Sequence, residues 1–66
     1  MEPGETKIEM LWRHVREGAE HVAKQRALVA RLRADGLPVE EATGLLLTFE
    51  GLQRQHEAHL AEAERA

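Results

Sequence analysis

Two long runs of helix-forming residues are interrupted once, at Asp35-Gly36-Leu37-Pro38. Glycine adopts the left-handed conformation that closes a helix, and proline cannot continue one but readily begins the next. The chain therefore reads as helix, tight turn, helix, an antiparallel αα-hairpin. Its boundaries are an N-terminal tail over 1–5, expected to be disordered, helix 1 over about 7–35, a turn over 35–38 and helix 2 over about 38–64. Pro3 and Gly4 and the lack of periodicity mark the tail. Thr6-Lys7-Ile8-Glu9 has the form of a capping box, in which the Thr6 oxygen and the Glu9 carboxylate each take a free backbone N–H.

Helix 1 carries an unbroken heptad register, as in a coiled coil. Ile8, Val15, Val22 and Val29 occupy position a, and Leu11, Gly18, Gln25 and Leu32 occupy position d. Gly18 costs about 1 kcal/mol of helix propensity relative to alanine, which points to close approach of another backbone. Gln25 in an apolar seam reads as a hydrogen bonder that sets registry. Trp12, Ala19, Ala23, Ala27 and Ala30 form a shoulder beside the seam. Glu9–Arg13 and Glu20–Lys24 are spaced as i,i+4 ion pairs.

Helix 2 has Glu40 and Glu41 in its first turn, where the helix dipole favours negative charge. Two apolar seams overlap on it. One runs through Ala42, Leu45, Phe49, Leu52, His56, His59 and Ala63, the other through Ala42, Leu46, Phe49, Gln53, His56, Leu60 and Ala63. Together they are wider than one neighbouring helix can cover. With 66 residues and no cysteine, the chain has neither a large core nor disulfides to support it. This predicts a homodimer forming a four-helix bundle, with an interface through Trp12, Leu45, Leu46, Phe49, Leu52 and Leu60.

A net charge of −3 argues against a general binder of nucleic acid or anionic membrane. Lys24, Arg26, Arg31 and Arg33 form a basic cluster without interleaved aromatics, and pairing with acidic residues of a neighbouring helix is the expected use. No apolar run approaches the ~20 residues of a membrane span, and no apolar signal core begins the chain, so the cytoplasm is the expected compartment.

The histidines are the constellation with chemical potential. If the hairpin folds about its turn, residues whose numbers sum to about 73 lie level, at 1.5 Å per residue on each arm. His14 then meets His59, and Glu17 meets His56. Three imidazoles and a carboxylate at one level would suit tetrahedral zinc, so His14, Glu17, His56 and His59 form a candidate metal set. The plainer expectation is no cofactor, with His56 semi-buried in the core. A third possibility is phosphotransfer through His21, since dimerised helical hairpins carry phosphoacceptor histidines. Glu20-His21-Val22-Ala23-Lys24 lacks the acidic residue and proline that such a site would require after its histidine. No catalytic set is visible, and a non-enzymatic oligomerisation or protein-interaction module is expected.

Glu17-Gly18-Ala19-Glu20-His21-Val22-Ala23-Lys24-Gln25-Arg26, then Leu46-Leu47-Thr48-Phe49-Glu50, then His56 and His59-Leu60, resembles a helical-hairpin segment of small uncharacterised bacterial proteins. The likeness covers roughly residues 14 to 61. In those proteins the turn usually continues Gly-His-Asp-Thr, which caps helix 2 with a side chain, whereas this chain has Gly36-Leu37-Pro38-Val39. The resemblance implies a helical fold and no particular activity.

Overall fold

The computed structural model describes residues 4–66 as two antiparallel helices, α1 over Lys7–Ala34 and α2 over Glu40–Arg65, packed along their length. Met1, Glu2 and Pro3 of the expected tail lie outside the described residues.

The capping box at α1 forms as the sequence predicts. The Glu9 N–H donates to Thr6 Oγ1 at 3.1 Å, and the Thr6 N–H donates to Glu9 Oε1 at 3.2 Å. Glu9 is thereby engaged, and Arg13 turns instead to Glu17 at 3.1 Å and, through two parallel bonds, to Glu5. Glu5 thus clasps the start of the chain onto the second turn of α1. The Arg13 guanidinium holds the Glu5 carboxyl below its ordinary value of 4.5. A lowered folded value means the unfolded chain takes up the proton first. The clasp's contribution is therefore present above 4.5 and lost as pH falls through the folded value. Glu5→Gln should flatten the acid loss of amide-exchange protection in the first turn of α1. An acid profile identical to that of the parent would show that the clasp does not hold this turn.

At its far end α1 closes with Gly36 at φ 70°. The Leu37 N–H donates to the Leu32 carbonyl at 2.9 Å and the Gly36 N–H to the Arg33 carbonyl at 3.1 Å, the paired bonds of a Schellman motif. The start of α2 differs from expectation. Pro38 does not open the helix; Leu37, Pro38 and Val39 are non-helical, and α2 begins at Glu40 without a side-chain cap.

That difference resets the register between the arms. His14 lies beside His56 and His21 beside Phe49, pairs whose numbers sum to 70. A non-helical residue advances up to about 3.3 Å against 1.5 Å in a helix. The non-helical connection therefore carries the chain further down the second arm than continuous helix would. His56, rather than His59, is therefore level with His14.

The seam of α1 is as read from the sequence: Leu11, Val22, Gln25 and Val29 are buried, and Val15, Gly18 and Leu32 half-buried, while Ile8 at the end is exposed. On α2 the structure selects one of the two overlapping seams. Leu60 is buried, Leu46, Phe49, Gln53 and His56 are half-buried, and Leu45, Leu52 and His59 are left outside.

Two glutamines bolt the helices together from opposite sides. Gln25 Nε2 of α1 donates to the Ala42 carbonyl of α2 at 2.9 Å, and Gln53 Nε2 of α2 donates to the Val15 carbonyl of α1 at 2.8 Å. Each places a polar bond inside an otherwise apolar seam, and sliding the helices by one turn would break both. Gly18 is explained by the second bolt. A Cβ there would overlap the Gln53 amide and reach His56 Cδ2 at 3.4 Å. The close approach is that of a side chain, not of a backbone.

The expected energetic signature is non-additive. Gly18→Ala alone gains about 1 kcal/mol of helix propensity but displaces the Gln53 amide, a loss of similar size, so stability changes little. Gln53→Ala alone should cost about 1 kcal/mol. With the amide gone, adding Gly18→Ala should recover about 1 kcal/mol. Urea unfolding of the four proteins measures the cycle, and simple additivity of the two changes would sink this account of Gly18.

Candidate functional site

The hairpin is a slab one helix thick, 51 × 27 × 13 Å between Cα extremes. Such a slab has two broad faces, and they differ. Two seven-residue stripes flank the seam on one of them: His14, His21 and Leu28 on α1, and Leu45, Leu52 and His59 on α2. The contacts between His14 and His56 and between His21 and Phe49 place both stripes on the same side of the hairpin. Leu28, Leu45 and Leu52 are 43%, 45% and 46% exposed there, beside half-buried Leu32 and Phe49. His14, His21 and His59 belong to this face, and His56 of the seam reaches its edge beside His14.

The opposite face is polar across its middle. Arg26 Nη2 donates to Glu50 Oε2 at 2.9 Å, between Ala23 on one helix and Glu57 on the other. The expected pairing of the basic cluster with acidic residues is thus made in part within the hairpin itself. Lys24, Arg31 and Arg33 remain exposed.

The residues expected at an interface divide among three environments. Leu45, Phe49 and Leu52 lie on the histidine-bearing face. Leu60, 6% exposed within the single chain, is part of the core between the helices, so its place in an intermolecular interface is taken by an intramolecular one. Trp12, 53% exposed, projects from the other side of α1, and Leu46 is half-buried within the seam. The rotation of 100° per residue separates them from Leu45 and Leu52.

The candidate metal set is also divided. His14 and His56 come together, ring centres 5.4 Å apart and planes tilted by 51°. Glu17 is held by Arg13, and His59 is exposed beyond the pair. Among the described residues, no group of three or more His, Asp or Glu side chains is placed to hold one ion. The three-residue shift in register is the reason, since it puts His56 where His59 was expected. His21, the phosphotransfer candidate, has its ring centre 5.8 Å from that of Phe49, at an interplanar angle of 34°.

The pairing of Gln53 with Gly18 was missed in the sequence. Its signal was a glutamine in the α2 seam matching Gln25 in the α1 seam, and it needed the register to be read. The seven-residue stripes were legible as spacing but not as one face. No helix among the described residues is long and apolar enough to cross a membrane. No family model matches the chain, and no curated protein or solved structure shows significant similarity to it.

Proposed function

We propose that this chain is a non-enzymatic oligomerisation module that pairs with a second copy through its histidine-bearing face, making a four-helix bundle. The observation that carries this reading is surface left over after the hairpin has folded. The chain exposes 5288 Å², whereas a compact folded protein of 7.5 kDa exposes about 4,200 Å². The excess of about 1,000 Å² per chain is of the same order as the ~800 Å² that one partner buries in a standard protein interface. No large side chain among the described residues is covered to below 2% exposure, so the hairpin alone lacks a fully enclosed centre.

A second copy is the economical occupant. A two-fold interface needs only a self-complementary patch. Leucine stripes flanking half-buried Phe49 supply one that is apolar and carries few charges. The four-helix bundle would also place Leu28, Leu45 and Leu52 in a second core, removing them from water at about 25 cal/mol per Å². The resemblance to bacterial helical hairpins, which rests on its motifs, is proposed as a kinship of architecture. Sedimentation equilibrium at micromolar concentration is the direct test. A mass of twice 7.5 kDa is expected, and a folded, stable species of 7.5 kDa would overturn the proposal.

A further inference from the structure

We infer that His14 and His56 form a two-imidazole chelate for a zinc-like divalent ion, bridging the two helices at the open half of the hairpin. Two imidazoles bound to one zinc at 2.0–2.1 Å and a tetrahedral angle have ring centres roughly 5 Å apart. The observed separation is 5.4 Å, and the 51° tilt keeps the rings from stacking flat. One ligand comes from each helix, and both residues are half-buried, so their backbones are set by the packing of the seam. Arg13 bonds Glu17, and Gln53 Nε2 bonds the Val15 carbonyl, while the buried Gln53 Oε1 has no partner among the described residues.

This chain supplies two ligands. Water fills the remaining coordination positions. Binding takes neutral imidazole and displaces water, with no other chemistry. Its effect is mechanical. The turn ties the helices at one end, and an ion between His14 and His56 ties them toward the other, where the termini lie. His21 and His59 flank this pair on the same face but are exposed, and the ring that faces His21 from α2 is that of Phe49, which cannot bind a metal.

The experiment uses the full chain with zinc chloride as the probe. Thermal unfolding is followed with saturating zinc and with chelator, for the parent and for His14→Gln, His56→Gln, His21→Gln and His59→Gln. Zinc should raise the Tm of the parent on the order of 10 °C once it exceeds its Kd about a hundredfold. His14→Gln and His56→Gln should each abolish the rise, and His21→Gln and His59→Gln should keep it. NMR of the parent's imidazole resonances provides a reading free of variants: His14 and His56 should shift on adding zinc, and His21 and His59 should not. No rise in Tm, a rise that survives loss of His14, or equal shifts at all four histidines would overturn the inference. Size measured on the same samples keeps the two proposals apart. A monomer that still responds to zinc through His14 and His56 refutes the dimer and upholds the chelate. A dimer indifferent to zinc does the reverse.

Discussion

Leu60→Ala is expected to unfold this protein, or nearly so, at room temperature. Leu60 is 6% exposed and is the one apolar side chain of α2 that the hairpin buries; its companions Leu11, Val22 and Val29 all lie on α1. Truncating a buried leucine removes about 2–5 kcal/mol, part from lost transfer and part from the cavity left behind. A chain of this length has a total stability of roughly 3–10 kcal/mol. The cavity would open opposite Leu11 near the ends of the hairpin, where no turn holds the helices together. Circular dichroism should show a large loss of helix at 25 °C, or a Tm lowered by at least about 10 °C. Leu47→Ala is the counterpart. Leu47 is 63% exposed, and its loss should change stability by no more than about 0.5 kcal/mol. Equal effects at the two leucines would mean that the helices are not packed as described.

The second large effect is expected on assembly. The double substitution Leu45→Glu with Leu52→Glu places two charges in the middle of the proposed dimer face, where four would meet across a two-fold axis. Neither residue lies in the seam with α1, being 45% and 46% exposed, so the hairpin itself is left intact. Burying an unpaired carboxylate is prohibitive, and the dimer should separate into monomers. Light scattering should report half the parent mass. The Tm of the parent should rise with protein concentration, and that of the double variant should be lower and independent of concentration. Leu47→Glu with Ala58→Glu, on the outward side of α2, should leave the mass unchanged. Dissociation by this second pair and not by the first would move the interface to the outer side of α2.

Reading the fold from the residues succeeded where local chemistry decides. Thr6 and Glu9 cap α1 because both groups lie within one turn of each other. Gly36 ends it because only glycine takes φ 70° without strain. The heptad through Leu11, Val22 and Val29 marks the buried side of α1 because helical period ties spacing to direction. The role of Gln25 followed from its place in that register, an amide that must find a partner once it is covered.

What only the tertiary structure decided turns on three residues of connection. Whether the connection through Leu37, Pro38 and Val39 continues the helix or interrupts it shifts α2 along α1. That shift pairs His14 with His56 and sends His59 to the surface. It also brings Gln53 over Gly18. Of the two overlapping seams of α2, packing turns Leu60 inward and leaves Leu45 and Leu52 outside. Period alone could not separate those seams, because both satisfy alternating steps of three and four. The amino-acid sequence therefore determined the two helices, their caps and the buried side of the first. The packing of one helix on the other determined which side of the second is buried, and with it which leucines and histidines share the face left open.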